Sequence, residues 1–167
     1  MSIISFQGKA IETNGELPLV GTKAPDFILT DGNLADVTLS TYSGKRKILN
    51  IVPSLDTPTC AASTLKFNEK AAHIHDTVVL VISADLPFAQ CRFCSGENLH
   101  HVIPLSTFRS SFAKDYGVEL ISSVLAGLTA RAVIVIDEKD QVLYTELVNE
   151  LSNEPDYKSA LASLTDL

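Results

Sequence analysis

Short apolar runs separated by turn residues fill the first quarter of the chain. IISFQ (3–7) and AIET (10–13) flank Gly8-Lys9, with Asn14-Gly15 as a further turn signal, and predict two short β-segments. FILT (27–30) and DVTLS (36–40) are short alternating runs. The rhythm then changes. KILNIV (47–52) is apolar except for Lys47 and Asn50, as a central strand covered on both faces requires. TVVLVIS (77–83) predicts a second buried strand and VIPLS (102–106) a third. Between the first two, TCAASTLKFNEKAA (59–72) is rich in helix formers, with Ala62, Leu65 and Phe67 as core candidates. ADLPFAQCRFC (84–94) predicts a turn into a short helix, and TFRSSFAKDYGV (107–118) a helix closed near Gly117. AVIVID (132–137) and QVLYTEL (141–147) bracket Glu138-Lys139-Asp140 as a hairpin. EPDYKSALASLTDL (154–167) predicts a last helix, with Pro155 near its start.

Buried strands alternating with helices, then a hairpin and a final helix, imply a layered α/β fold with a mixed sheet. A thioredoxin-like three-layer fold with a central mixed sheet and an N-terminal β-hairpin extension fits this order. Order alone also permits a flavodoxin-like sheet. No repeat, low-complexity tract or linker interrupts residues 1–167, which read as a single domain. At 46% apolar and 20% charged residues, a chain of this length builds a proper core. The net charge of −7 argues against a sequence-independent grip on nucleic acid or anionic lipid, since both need a basic face. No basic start leads into an apolar core of signal-peptide length, and no run approaches the ~18 apolar residues of a membrane helix. A cytoplasmic protein without nucleic-acid or membrane partners is expected.

Three cysteines, Cys60, Cys91 and Cys94, do not resemble a secreted disulfide scaffold. Cys60 closes the string PSLDTPTC (53–60) at the mouth of the first predicted helix. With Thr57 as N-cap, Pro58 occupies the first helical position, where proline's missing N–H costs nothing. Cys60 then falls in the first turn, near free amides and the positive end of the helix dipole. That dipole is worth only ~0.3–1 kcal/mol, so an ordinary thiol needs a cation as well to become a thiolate at neutral pH. Of four arginines, Arg131 stands out at the entry of the apolar strand AVIVID, where an unpaired charge is costly. An anion must meet it there, either a thiolate or a structural carboxylate.

PSLDTPTC matches the peroxiredoxin pattern of proline, three residues, threonine, two residues, cysteine. With KRKILNIVPS, TVVLVISADLPFAQCRFC and ARAVIVIDE, nearly the whole chain resembles the bacterial thiol peroxidase subfamily, an atypical two-cysteine group. The resemblance implies that the Cys60 thiolate attacks a hydroperoxide, organic hydroperoxides being preferred over hydrogen peroxide, and becomes a sulfenic acid. Pro53, Thr57 and Arg131 complete the site. Cys94 matches the resolving cysteine, which condenses with the sulfenic acid of the same chain to give a Cys60–Cys94 disulfide. Thioredoxin then reduces it, and members of the subfamily are homodimers. No cofactor or metal is implied. A disulfide needs α-carbons within ~7 Å, so the segments around both thiols are expected to open and close during turnover.

Cys91 departs from that pattern. It turns the second helix into CRFC, a C-x-x-C that on its own suggests a thioredoxin-type pair, and it leaves open which cysteine resolves. Cys91, Cys94, His100 and His101 also compose a conceivable zinc set, but adjacent histidines seldom reach one ion. His73 and His75 read as solvated surface, and ENLHH (97–101) as a surface loop.

Overall fold

The structure, a computed structural model, describes residues 1–165. Strands β1 (Ile3–Phe6) and β2 (Lys9–Glu12) form an antiparallel hairpin apart from the main sheet. Its two turn residues are Gln7 and Gly8, not Gly8-Lys9 as the sequence suggests, because Phe6 pairs with Lys9. Both carry positive φ, 51° and 78°, the backbone that a tight two-residue hairpin turn demands.

Seven strands build the main sheet: β3 (Leu29–Thr30), β4 (Asp36–Val37), β5 (Arg46–Ile51), β6 (Thr77–Ser83), β7 (Val102–Ser106), β8 (Ala132–Ile136) and β9 (Val142–Leu147), in the order β4-β3-β7-β6-β5-β8-β9. Parallel β5, β6 and β7 are linked through α1 (Pro58–Ala71) and α2 (Pro87–Gly96). The β8–β9 hairpin adds antiparallel to the free side of β5, and β3 adds antiparallel to β7. These antiparallel additions make the sheet mixed, in the thioredoxin-like manner.

Period-two alternation sorts the strand residues between two cores. Ile48, Val79, Val81, Val133 and Val135 pack with Phe67 of α1, Cys94 of α2 and Ala160 of α4 (Tyr157–Ala162). Leu49, Ile51, Leu80, Ile82 and Ile134 pack with Phe27, Tyr116 and Phe112, the last from α3 (Phe112–Asp115). The two fully buried polar residues of β5, Lys47 and Asn50, each donate to a side chain of another segment. Lys47, fully buried, donates to Asp140 Oδ1 at 2.7 Å in the β8–β9 turn, and the Asn50 amide donates to Ser63 of α1. A third cluster, Ile4, Ile11, Leu120, Ala130 and Leu151, fastens the N-terminal hairpin to the body.

Several elements differ from the sequence pattern. Leu65 is 40% exposed and Ala62 only half-buried. The inner face of α1 is instead Cys60, Ser63, Thr64 and Phe67, spaced i, i+3, i+4, i+7. Ser63 and Thr64 tolerate burial because both hydroxyls donate to the Cys60 carbonyl, at 3.0 and 2.8 Å. The helix expected over 107–118 shrinks to α3, where the Ser110 hydroxyl accepts the Phe112 N–H and the Ser111 hydroxyl donates to the Asp115 carboxylate. Leu39–Tyr42 is a short 3₁₀ helix rather than the end of a strand, entered through a Thr38 N–H bond to the Thr41 hydroxyl. The last helix starts at Tyr157, with Asp156 capping the Ser159 N–H, so Pro155 lies before it; positions 166–167 of that expected helix fall outside the described residues.

Candidate active site

Helix α1 begins where β5 delivers the chain out of the sheet. Thr57 is its N-cap residue and Pro58 its first helical residue, as the sequence predicts. The Thr57 hydroxyl does not cap the helix. It donates to the Ser54 carbonyl at 3.1 Å, across the loop. Among the described residues no protein acceptor takes the Thr59 and Cys60 N–H groups, while the next amide, Ala61, already bonds Thr57 O. The turn that carries Cys60 therefore keeps free donors.

Cys60 is fully buried, and Arg131 meets it there. Arg131 Nη1 lies 3.2 Å from Cys60 Sγ, and its Nε donates to the Leu151 carbonyl at 2.9 Å. The ion pairs among the described residues are Lys47–Asp140 and Arg109–Asp36, so the partner of Arg131 is the sulfur and a carbonyl, not a carboxylate. The arginine is only 2% exposed. Its own carbonyl accepts from Val148, and two residues before it Thr129 donates to Val52 O at 2.6 Å.

Beside Arg131 lies a mostly apolar pocket of about 270 Å³. Pro53, Ser54, Thr57, Pro58 and Thr59 line it together with Arg131, Ser152 and the apolar Phe6, Leu125, Leu128 and Leu151, while the buried Cys60 adjoins it through its contact with Arg131. Thus four of the five expected site residues converge at one place: Pro53, Thr57, Cys60 and Arg131. The apolar walls went unnoticed in the sequence. Phe6 comes from the β1–β2 hairpin, and Leu125 and Leu128 from the loop before β8. The segment after β9 closes the circle: Ser5 exchanges backbone bonds with Asn149 and Leu151, and Thr59 Oγ1 donates to Ser152 O at 2.9 Å. No local signal links these four apolar residues, whose meeting depends on the hairpin docking.

Cys94 sits deep in α2, buried in the same core cluster as Cys60, and both thiols are free. Burial first, and the neighbouring Cys91 second, push the Cys94 thiol up to about 11. Cys91 is half-buried, with Sγ against the Gly32 carbonyl at 3.8 Å. His100 bonds Asn98 at 2.6 Å, and among the described residues no three of histidine, cysteine, aspartate and glutamate gather as ligands for a metal. His73 and His75 are exposed, as expected.

Fold and site together define the class: the chain belongs to the redoxin family, whose profile matches residues 19–161. Within it, the chain is similar to thiol peroxidases. It is 51% identical over 164 residues to those of Corynebacterium glutamicum and Mycobacterium bovis, covering 98% of this chain and 99% of each relative. A crystal structure of a peroxiredoxin-like protein from Aquifex aeolicus superposes with a TM-score of 0.94 at 34% identity, covering 99% of this chain and 97% of that one. The thiol peroxidase from Chromobacterium violaceum shares the fold, with a TM-score of 0.90 at 24% identity over 98% of this chain and 95% of that one. The chain is an enzyme, a peroxidase of the peroxiredoxin type. No helix among the described residues is long and apolar enough to cross a membrane.

Proposed function

We propose that this enzyme reduces organic hydroperoxides, and hydrogen peroxide less well, at Cys60, and that thioredoxin regenerates it through a Cys60–Cys94 disulfide. The observation that carries this reading is the Arg131 guanidinium 3.2 Å from a buried sulfur in the first turn of α1. The guanidinium and the free amides of Thr59 and Cys60 place hydrogen-bond donors and positive charge around that sulfur, where a peroxide's oxygens would also have to lie.

The reaction follows from the groups at hand. The peroxide enters between Pro53, Thr57 and Arg131. Because the Thr57 hydroxyl hydrogen is committed to Ser54 O, its oxygen offers lone pairs to the peroxide O–H. The Cys60 thiolate attacks the distal peroxide oxygen. A sulfur–oxygen bond forms, the O–O bond breaks, and the departing alkoxide takes a proton to leave as alcohol. Donors fixed around the oxygens stabilise that charge as it develops. Phe6, Leu125, Leu128 and Leu151 would bury an alkyl or aryl substituent, worth ~25 cal/mol per Å² of apolar surface, whereas hydrogen peroxide has none to bury.

Cys94 then attacks the Cys60 sulfenic sulfur, forming the disulfide and releasing water. In the folded helix, burial keeps Cys94 protonated at neutral pH, so resolution needs α2 to open first. A dithiol such as reduced thioredoxin supplies the two electrons and two protons that return both cysteines to thiols. The reading places the catalyst in the cytoplasm as a homodimer, which sedimentation of the purified protein tests. Peptide mapping after one equivalent of cumene hydroperoxide tests the chemistry. A Cys60–Cys94 cross-link within one chain is expected. A Cys91–Cys94 link with Cys60 untouched would overturn the reading.

A further inference from the structure

Asp85 is the middle residue of the three-residue connection between Ser83, the last residue of β6, and Pro87, the first of α2. Its carboxylate is fully engaged without any cation. Oδ1 accepts the Ser54 hydroxyl at 2.8 Å; Oδ2 accepts the Leu55 N–H at 2.8 Å and the Ser83 hydroxyl at 2.7 Å. Its backbone carbonyl accepts the Ser106 hydroxyl at 2.5 Å, which fixes the residue against the end of β7. Ser83 Oγ in turn accepts from the buried Gln90 amide of α2, which also donates to Leu105 O. A continuous chain of bonds therefore runs from the loop of Pro53–Thr57, through Asp85 and Ser83, into the helix that carries Cys94.

We propose that Asp85 is a positioning residue with two effects: it sets the geometry of the Cys60 loop for attack on peroxide, and it latches that loop to the start of α2. This rests on the Cys60–Cys94 reading above. Ser54 and Leu55 follow Pro53 directly, and the Ser54 carbonyl receives both the N–H and the hydroxyl of Thr57. Displacing Ser54 therefore moves Pro53 and Thr57 together, the two residues that flank the pocket mouth. Charge-assisted bonds from a carboxylate to a hydroxyl and an amide are short and directional, and they suit a loop whose prolines at 53 and 58 offer no N–H. On the other side, Cys94 must leave its buried position in α2 to reach Cys60. The latch stabilises the closed arrangement in which peroxide reacts and opposes the open one in which the disulfide forms. Weakening it should slow the first step and spare or speed the second.

The test measures both steps in single-turnover reactions with cumene hydroperoxide. Loss of the Cys60 thiol reports oxidation; acid-quenched mass analysis reports the appearance of the disulfide from the sulfenic acid. In Asp85→Asn one oxygen becomes an amide that faces donors. Its Cys60 oxidation is expected to fall about tenfold, in line with the sensitivity of catalysis to small misplacements, while disulfide closure stays within about twofold of wild type or becomes faster. Ser54→Ala, which keeps the carboxylate and removes one donor, should slow oxidation about threefold. Gln90→Leu, which removes the α2 bonds to Ser83 and Leu105 but keeps the Asp85 bonds to Ser54 and Leu55, should speed closure and slow oxidation less than Ser54→Ala does. A merely structural role would slow both steps together or change neither. Equal loss in both steps, or wild-type oxidation in both Asp85→Asn and Ser54→Ala, overturns the proposal. If Asp85→Asn does not fold, Ser54→Ala and Gln90→Leu decide the same question. Failure of Cys60 to oxidise in the wild-type protein would instead refute the underlying peroxidase reading.

Discussion

Helices α1 and α2 begin alike. Each has a proline at its first position, no side chain that caps its free amides, and no acidic residue in its first turn. Each carries a buried cysteine in the same core cluster. Yet the two thiols are in opposite electrostatic situations. Cys60 lies in the first turn, beside free N–H groups and the Arg131 guanidinium. Cys94 lies two turns into α2, away from the free amides of the helix start, and burial first and Cys91 second raise it to about 11. A helix start is therefore insufficient to prepare a reactive sulfur. Position within the first turn and an arginine delivered from the entry of β8 set Cys60 apart, and Cys94 has neither.

The comparison breaks most severely at Cys60. Cys60→Ser is expected to lower peroxidase activity by at least about a thousandfold, because no other thiol has the cation; steady-state consumption of cumene hydroperoxide with excess dithiol measures it. Cys94→Ser should keep one round of Cys60 oxidation at the wild-type rate while losing thioredoxin-driven turnover. Equal turnover by variant and wild type would reassign the resolving role. Arg131→Lys should slow Cys60 oxidation by about ten- to a hundredfold, since one ammonium cannot both bond the Leu151 carbonyl and reach the sulfur.

A pH series sharpens the other side of the contrast. The folded protein holds the Cys94 proton more tightly than the unfolded chain does. The stability this contributes is present through neutral pH and is lost as pH rises from the ordinary thiol range to about 11. Tyr144, raised from 10.0 to about 12 by burial first and by Glu146 and Asp156 next, adds a loss in the same sense from about pH 10 upward, so the lower part of the window belongs to the thiol. Melting temperatures of the reduced protein should fall over this alkaline window, and less steeply in Cys94→Ser. Identical alkaline profiles for the two proteins would mean that Cys94 is not held as a buried thiol.

Much of this arrangement was legible along the chain. KILNIV, TVVLVIS and AVIVID identify central strands because both faces must be apolar, and each appears where expected. Thr57-Pro58 marks a helix start through proline's fixed φ and missing donor, and Cys60 follows at the third position. The inner face of α1 was harder to read. Leu65 looks like core and is exposed, while Ser63 and Thr64 look like surface and are buried, because hydroxyl bonds to the Cys60 carbonyl satisfy them locally. Composition alone does not reveal such a bond.

The sequence by itself determined the strand and helix order, the placement of Cys60 in a first turn, and the need of Arg131 for an anion. Those follow from local dihedral preferences, from side-chain periodicity and from the cost of burying an unpaired charge. Which group Arg131 meets was decided only when β8 paired with β5 and brought residue 131 beside residue 60. The apolar walls from Phe6, Leu125, Leu128 and Leu151, and the Asp85 bonds to the loop, arise in the same way. They join segments distant in sequence, and only packing of the hairpin, the sheet and the connecting loops brings them within contact.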